Sequence, residues 1–304
     1  MPVSSETVAI VNPTKGGGLA SAREQLAEWA HASGVAAPHV EATSARRTGE
    51  EQARSAVAAG ADLVLAWGGD GTVRAVATAL AGTDVPLGIL PAGTGNLLAR
   101  NLDIPLDLPR AARVAFTGRD RRIDVMDVGL DGEVQVCTVM AGMGFDAEMI
   151  DAPELLKEAF GAGAYVLNAS KAVWTTRMRV GVAVDGATPR WFTARSVLVA
   201  NVGGLIGGLD VAPESDAEDG LLHVVVLPLG TPRDWVRTAT RLWGRHNRED
   251  SSRHYFSGRT AWVVATTPQA RQVDGDPVTE GNRIQARVRP AALTVRVPAS
   301  PEPK

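Results

Sequence analysis

Three glycine-rich turns, each placed directly after a short apolar run, are the features of this 304-residue chain best suited to bind a phosphorylated ligand. They read Asn12-Pro-Thr-Lys-Gly-Gly-Gly18, Gly68-Gly-Asp-Gly-Thr-Val73 and Gly93-Thr-Gly-Asn96. Glycine lets the backbone approach a phosphate closely, and the helix that follows such a turn presents free N–H groups to it. A single turn of this kind is commonly only a tight strand-to-helix connection, whereas three in one sheet indicate a phosphate-bearing ligand.

The turns do not match the usual nucleotide-binding fingerprints. None contains the G-x-x-x-x-G-K-[ST] sequence, so the chain is not a Walker-type NTPase. Gly142-Met-Gly144-Phe145 begins like a dinucleotide-binding motif, but it lacks a third glycine and a βαβ frame. A less common type of phosphate-binding loop is therefore expected.

Strand-like and helix-like segments alternate over the first 118 residues, which predicts a doubly wound parallel sheet. The predicted strands are residues 7–11, 39–43, 63–67 and 87–90, and the predicted helices are 19–33, 46–59, a stretch ending at 80 and a short one after 96. The run 63–67 is continuously apolar, as expected of a strand buried on both faces. Turns at the carboxyl ends of such strands converge on the crevice where open α/β sheets bind ligands.

After Arg119 the strand-like segments follow one another without regular crossover helices, which predicts an antiparallel, β-sandwich-like second domain. The predicted strands are residues 134–140, 179–184, 196–201, 221–227, 260–265 and 284–288, and helical segments at 153–176 and 231–248 interrupt them. We expect an α/β nucleotide-binding domain over 1–125, to which 290–304 can return, and a β-rich acceptor domain over 126–289. The tail from Pro298 is expected to be disordered.

Composition excludes several classes of protein. The chain is 45% hydrophobic and 21% charged, and its net charge of -3 argues against a general nucleic-acid binder. Cys137 is the only cysteine, so a disulfide framework and a multi-cysteine metal site are excluded. No leader-like N-terminus and no apolar run approaching ~18 residues are present. We expect a cytoplasmic protein with peripheral contact at the inner face of the membrane, and a homodimer is compatible with the sequence.

The second turn resembles the signature of the diacylglycerol kinase catalytic domain, a lipid kinase family that also includes the sphingosine kinases. The similarity to NAD kinases and phosphofructokinases is more distant. Five further blocks resemble the same family in the same order, from Val8 to about Val297: Asn12-Pro13 with its trailing glycines, and residues 91–100, 142–147, 212–221 and 273–275. Six blocks in order are far more specific than any one of them.

The resemblance implies that ATP, with Mg²⁺, is bound by backbone amides and hydroxyls of the turns. The implied ATP contacts are Asn12, Pro13, Thr14, Lys15, Gly16, Thr43, Gly68, Gly69, Asp70, Gly71, Thr72, Val73, Arg74 and Thr94. Asp70 is also implied to act in catalysis by engaging the magnesium ion. In a plainer interpretation its carboxylate only caps the next helix.

For the acceptor side, the resemblance implies that Asp274 is the general base, which takes the acceptor hydroxyl proton as the γ-phosphoryl is transferred. The Asp274-Gly275 pair is also a common hairpin turn. The family usually has Glu where this chain has Asp276, whose side chain is shorter by one methylene. We assign Asp276, Arg100 and Asp124 supporting roles.

The segment around Asp216, Asp219 and the carbonyl of Leu221 resembles a structural magnesium site of bacterial family members. Hard oxygen ligands close in sequence suit Mg²⁺. Because Glu214 and Glu218 lie in the same loop, it could instead be a solvated acidic segment.

The resemblance therefore implies a kinase that transfers the γ-phosphoryl of ATP to a lipid hydroxyl, with diacylglycerol as the expected acceptor. An NAD kinase-like phosphotransferase is one alternative, although the apolar residues between Tyr165 and Trp174 favour a lipid over a second nucleotide. A non-catalytic lipid- or nucleotide-binding regulator is another, and the presence of Asp274 argues against it.

Thr231-Pro-Arg-Asp234 is typical of a helix start. The predicted helix has an apolar face with two tryptophans, and arginines recur at every fourth residue from Arg233 to Arg245. That pattern is typical of a helix lying in a membrane interface, so we expect contact with an anionic membrane. The apolar face could instead pack on the second domain.

Overall fold

The computed structural model describes residues 6–15, 17–144, 177–204, 210–227 and 254–299. The chain divides into two compact units, Met1–Val125 with Pro290–Lys304, and Met126–Arg289. It passes from the first unit to the second within strand β5 (Arg119–Leu130) and returns within strand β14 (Asp276–Val297).

The first unit alternates strands and helices. They are β1 (Thr7–Val11), α1 (Leu19–Ala32), β2 (His39–Ala42), α2 (Glu50–Ala58), β3 (Leu63–Gly68), α3 (Asp70–Leu80), β4 (Leu87–Pro91), α4 (Leu97–Asn101) and α5 (Leu108–Thr117). The strands are parallel in the order β14-β4-β3-β1-β2, which confirms the predicted α/β fold class. β2 lies on one side of β1 and β3 on the other, so the strand order reverses between β1 and β3.

Two helices of the first unit differ from the sequence prediction. α2 begins at Glu50 rather than at residue 46, because Ser44 and Arg47 exchange backbone hydrogen bonds in a turn and Gly49 takes a φ of 122°. α5 was not predicted, although Asp107 caps it by accepting the amide hydrogen of Arg110 at 3.1 Å and a proline lies in its first turn. A capping aspartate followed by proline is an N-terminal signal that the sequence does contain.

The second unit is antiparallel. Besides β5 and β14 it contains β6 (Glu133–Cys137), β7 (Met140–Met143), β8 (Met178–Val184), β9 (Arg190–Ala194), β10 (Ser196–Ala200), β11 (Leu222–Leu227), β12 (His254–Gly258) and β13 (Thr260–Val273). Strands β12, β11, β10, β7, β13 and β14 are paired with one another in that order. In addition, β8 pairs with β13 and β9 pairs with β8, while β5 pairs with β14 and β6 pairs with β5. Met126, Met143, Leu222 and Val263 are among the residues of its apolar core. The predicted sandwich-like class is confirmed.

The sequence predicted the ends of the strands in the second unit less accurately than those in the first. The single strand expected at 134–140 is two strands, because Thr138 and Val139 between β6 and β7 turn their amides to a side chain instead of a neighbouring strand. β13 and β14 extend well beyond the predicted segments, and β5, β9 and β12 were not predicted. Pro268 lies at a bulge between Val264 and Gln269, where the register of β13 against β14 shifts.

The predicted helices at 153–176 and 231–248 lie outside the described residues, as does the tail from residue 300. Among the residues that are described, no helix is both long and apolar enough to cross a bilayer.

Candidate active site

The three glycine turns and Thr43 follow the ends of neighbouring parallel strands. The amide of Asn12 donates to the end of β3 at 2.8 Å, and the amide of Thr43 donates to the end of β1 at 2.8 Å. The amide of Ala92, just before the third turn, donates to the carbonyl of Gly68 at 2.9 Å. The predicted nucleotide contacts therefore meet at the carboxyl edge of the sheet, where its strand order reverses and where open α/β sheets bind ligands.

The first turn is built around the side chain of Asn12. Its Oδ1 accepts the amide hydrogen of Thr14 at 3.0 Å and the hydroxyl hydrogen of the same residue at 2.8 Å, while the amide of Lys15 donates to the Asn12 carbonyl at 3.0 Å. Thr14 and Lys15 are exposed, and Gly16 lies outside the described residues. Gly18 precedes α1 with a φ of 93°, and no side chain caps that helix. The turn thus presents a hydroxyl, an ammonium group and an uncapped helix start to a ligand.

The second and third turns pack directly against each other through glycine. A Cβ at Gly93 would lie 2.7 Å from the Cα of Gly69, and one at Gly95 would lie 2.6 Å from a carboxylate oxygen of Asp70. Any side chain at these positions would push the turns apart. The glycines are therefore needed for the contact between turns, a reason that the sequence interpretation, based on phosphate approach, did not include.

Asp70, the first residue of α3, joins these two turns. Its Oδ2 accepts the amide hydrogen of Asn96 at 2.8 Å, and its Oδ1 accepts that of Leu97 at 2.6 Å. Asn96 takes the left-handed conformation, with a φ of 49°, and its side chain exchanges hydrogen bonds with the backbone of Gly93. The carboxylate therefore caps α4, whereas the plainer sequence interpretation had it capping the helix that follows it directly.

Some of the remaining predicted ATP contacts in the second and third turns are accessible to a ligand, whereas others already form hydrogen bonds within the protein. The amides of Thr72 and Val73 both donate to the carbonyl of Gly69, at 3.0 and 3.1 Å, so they serve the first turn of α3. Gly71 and Arg74 are half-buried, and Thr94 is exposed. The Thr94 hydroxyl is thus exposed at this edge, whereas the amides of Thr72 and Val73 are already used within α3.

The supporting residues of the first unit hold the backbone. The Nε of Arg100 donates to the carbonyl of Gly95 at 2.8 Å, which steadies the third turn. The carboxylate of Asp124, only 2% exposed, accepts the amide hydrogen of Ala291 at 2.7 Å. Ala291 has a φ of 50°, so Asp124 stabilises a bend in β14. Arg100 and Asp124 therefore both stabilise the backbone conformation.

In the second unit, Asp274 is a buried carboxylate surrounded by hydrogen-bond donors. Its Oδ1 accepts from the amides of Val139 (2.8 Å) and Met140 (3.1 Å) and from the thiol of Cys137 (3.1 Å). Its Oδ2 accepts from the amide and the hydroxyl of Thr138, at 2.9 and 3.0 Å. Asp274 is 2% exposed, so these donors compensate a charge that has little contact with water. The carboxylate is oriented very firmly.

Asp274 lies in the predicted Asp-Gly turn, which connects β13 to β14 at the pair Val273 and Asp276. Asp274 and Gly275 have φ values of 51° and 87°, the left-handed pattern of a two-residue hairpin turn. The hairpin interpretation and a chemical role are therefore compatible, because the turn itself directs the carboxylate inward. Asp276, the first residue of β14, is half-buried.

Sequence reasoning missed the residues that hold this carboxylate. Cys137 ends β6 and Thr138 follows it, and the side chain of Asn201 donates to the carbonyl of Thr138 at 3.1 Å. The amide of Asn201 also donates to the carbonyl of Val139 at 2.8 Å. Two features of the sequence could have indicated these residues: Asn201 comes directly after the apolar run of β10, and Thr138 lies inside an apolar segment. Both side chains are buried.

The structure brings Asp216 and Asp219 together on one turn. Oδ2 of Asp219 accepts the amide hydrogen of Asp216 at 3.0 Å, and its Oδ1 accepts that of Leu221 at 2.7 Å. Nε2 of His223 lies 2.9 Å from the same Oδ2, and the hydroxyl of Tyr255 binds the other ring nitrogen of His223. Two carboxylates and a backbone carbonyl on a tight turn fit the hard-oxygen preference of Mg²⁺. The described residues contain no group of three or more His, Cys, Asp or Glu side chains positioned to hold a metal, so water would have to complete the coordination.

Comparison with known families matches both units. The sequence profile of the "Diacylglycerol kinase catalytic domain" matches residues 6–128, and that of the "YegS C-terminal NAD kinase beta sandwich-like domain" matches residues 138–297. A "Probable lipid kinase YegS-like" protein of Pseudomonas aeruginosa is 34% identical over 264 residues, which cover 84% of this chain and 82% of the relative. One of the same name from Klebsiella pneumoniae is 31% identical over 245 residues, 78% of each chain. The chain belongs to the diacylglycerol kinase family.

Members of this family are ATP-dependent phosphotransferases that act on an alcohol group, and the chain is a lipid kinase-like enzyme of that class. Solved structures agree on the fold. A diacylglycerol kinase from Bacillus anthracis superposes with a TM-score of 0.72 at 20% identity over 98% of both chains. An NAD kinase from Archaeoglobus fulgidus in complex with ATP gives 0.52 at 15% identity, over 95% of this chain and 93% of that one. At these identities the likeness concerns the fold alone.

Proposed function

We propose that this diacylglycerol kinase family member transfers the γ-phosphoryl of ATP to the hydroxyl of diacylglycerol, giving ADP and phosphatidic acid. The observation that carries the proposal is the joining of the second and third glycine turns by Asp70 at the carboxyl edge of the parallel sheet. A regulator that only bound lipid would have no need for three turns built to accept phosphates. The names of the curated relatives favour a lipid as the acceptor.

ATP is bound by the turn residues that the family resemblance identified. Thr14, Lys15 and Thr94 supply exposed hydroxyl and ammonium groups, and the uncapped start of α1 adds backbone amides. Asn12 and Asp70 act mainly by shaping the turns, because their side-chain oxygens already accept backbone hydrogens. The binding energy for ATP thus depends on turn geometry as much as on individual contacts.

Asp274 acts as the general base. As the acceptor oxygen bonds to the γ-phosphorus and the bond between that phosphorus and the β–γ bridging oxygen breaks, Asp274 takes the hydroxyl proton. One of its present donors has to give way to the acceptor. We propose that the Thr138 hydroxyl is the donor that gives way, because it can rotate away while the backbone amides keep the carboxylate in place.

Magnesium, when bound, neutralises phosphate charge during phosphoryl transfer and stabilises the fold. Asp70 would engage the ion at the phosphates, and Asp216, Asp219 and the Leu221 carbonyl would hold a separate structural ion. Asp276 would support the acceptor side. We further propose that the enzyme is cytoplasmic and meets its acceptor by peripheral contact with an anionic membrane.

The deciding experiment incubates the protein with γ-labelled ATP and, in parallel, a lipid panel and NAD. Label in phosphatidic acid supports the proposal, and label in another lipid keeps the class while changing the acceptor. Label in NADP would replace it with an NAD kinase activity. Nucleotide binding without transfer to any acceptor would leave the non-catalytic regulator as the function.

A further inference from the structure

One sheet face of the second unit carries tryptophan and arginine toward solvent. We call it the outer face, formed by Arg179, Trp191, Thr193, Trp262, Val264, Arg283, Gln285 and Arg287 on β9, β8, β13 and β14. Along β8, β13 and β14 these residues alternate with core residues such as Val180, Val263 and Ile284, so they point the other way. All are exposed except Trp262 and Val264, which are half-buried.

Strand register places the outer-face residues next to one another. Trp262 lies between Ala183 of β8 and Gln285 of β14, and Val264 lies between Gly181 and Arg283 in the same way. The small residues at positions 181 and 183 leave room for the aromatic rings. The result is a continuous surface of two indoles and a valine bordered by arginines.

Trp191 packs on this surface. Its ring covers Gly181, where an added Cβ would come within 3.2 Å of the indole, and the Arg179 guanidinium stacks on it 5.5 Å from the ring centroid. The side chain nevertheless remains 49% exposed. A half-exposed indole that covers part of a sheet suits the headgroup level of a bilayer rather than deep insertion, since tryptophan concentrates at that level.

The charge of the outer face is positive, on a chain whose net charge is -3. Among the described residues, no acidic side chain forms an ion pair with Arg179, Arg283 or Arg287. Asp127, the acid on the same side of β5, is paired with Arg289 at 3.3 Å. Uncompensated arginines are thus collected around the indoles.

We propose that the outer face docks on an anionic lipid bilayer. Arginines bind the acidic headgroups while Trp191 and Trp262 enter the interfacial layer, the combination that holds proteins at membrane surfaces. The inference rests on the proposed function in one respect, since the acceptor lipid resides in a bilayer. It gives the membrane contact a location in the described residues.

The first test measures sedimentation of the full chain with vesicles of phosphatidylcholine alone or mixed with phosphatidylglycerol. We expect binding only to the anionic vesicles, and weaker binding as salt rises. Arg179→Gln, Arg283→Gln and Arg287→Gln should each weaken binding roughly fivefold, and together by about 100-fold. The matched control, Arg46→Gln with Arg113→Gln and Arg119→Gln, changes net charge equally at exposed sites of the first unit and should bind nearly like wild type.

A second test locates the contact directly. Cys137 is buried, so a fluorophore sensitive to polarity can be attached at Thr193→Cys on the outer face and at Ser55→Cys on α2 as the control. Anionic vesicles should shift the emission of the first probe to shorter wavelength and leave the second unchanged. Vesicle binding without a shift at position 193 would overturn the proposal, as would equal binding by the triple arginine variant.

Two further measurements separate this proposal from others. Duplex DNA bound with the same arginine dependence at the same salt would make the face a general polyanion site and reject the lipid assignment. Turnover of diacylglycerol in uncharged detergent micelles tests the proposed function independently of docking. If the protein binds anionic vesicles but does not turn over diacylglycerol, only the proposed kinase activity is rejected. If it turns over diacylglycerol in micelles at a normal rate but does not bind the vesicles, only the proposed docking of the outer face is rejected.

Discussion

The carboxylate of Asp70 accepts the backbone amide hydrogen of Leu97 at 2.6 Å, across 27 residues of sequence. Through this bond an acidic residue at the start of α3 caps the start of α4, and the turns that precede the two helices become one piece. Bonds from an amide to a charged carboxylate are stronger than those to neutral acceptors. The Asp70 carboxylate is therefore one of the contacts on which the geometry of the second and third turns depends.

Asp70→Ala should lower both stability and ATP affinity. The substitution leaves two amides at the α4 start without acceptors, which costs about 1–3 kcal/mol in the free energy of unfolding. Asp107→Ala is the matched control, since it removes the cap of α5 and should cost about 0.5–2 kcal/mol without touching the turns. Denaturant titration and ATP calorimetry on both variants give the comparison. Equal ATP affinity in the two would show that Asp70 does not shape the nucleotide site.

Asp274→Asn should reduce turnover by a factor of ~10²–10⁴ while ATP affinity stays near wild type, because an amide cannot take the hydroxyl proton. It should also lower stability, because one oxygen that accepts hydrogens becomes an NH₂ group that faces donors. Thr138→Val is the control for that structural part. It removes one donor and should keep most of the turnover. If Asp274→Asn retained more than half the wild-type turnover, Asp274 would be an anchor for β6 and β7 and not a base.

These residues show what the sequence could and could not reveal. The parallel strands were predictable because runs such as Leu63 to Trp67 are apolar throughout, and Asp274 was identified because residues 273–275 resemble a block of the family. The partners of Asp274 come from residues about 135 positions away, and nothing local in Cys137 or Thr138 indicates that pairing. Contacts set by tertiary folding, like the capping of α4 by Asp70, have no short-range pattern to detect.

Magnesium should stabilise the wild type through the turn at Asp216 and Asp219, because a ligand bound only by the native state raises Tm by mass action. Asp219→Ala should abolish the difference between the Tm in magnesium and the Tm in chelator. Glu218→Ala, an exposed acid on the same turn, should preserve it. If Asp219→Ala lowered Tm equally under both conditions, the loop would be a solvated acidic segment held by Leu221 and His223.

Asp185 should give a pH-dependent contribution to stability. Backbone hydrogen bonds from Thr260 and Arg259 hold the pKa of its carboxyl below the ordinary value of 3.8. A lowered folded-state pKa means that the stabilisation is present above about pH 4 and is lost as pH falls through the folded value. The difference in unfolding free energy between wild type and Asp185→Asn should therefore shrink on acidification. Glu280→Gln, at an exposed site of the same unit, is the control for the loss of one carboxylate.

Asp276→Glu should be tolerated or slightly activating, because it restores the longer side chain usual in the family at a half-buried position. Steady-state turnover of Asp276→Glu and Asp276→Ala measures this. A loss in Asp276→Glu as large as in Asp276→Ala would mean that the surroundings have adapted to the shorter acid.

The return of β14 to the first unit has a consequence for the order in which the protein is made. Val295 pairs with Leu87 of β4, and Arg296 binds Asp120, so the parallel sheet gains its last strand from residues that follow the second unit in the sequence. While a ribosome is producing the second unit, β4 has an unpaired edge, and such an edge readily captures other chains. The first unit therefore starts before the second and is completed after it, because its sheet is whole only when the ribosome has passed the last residues of the second unit.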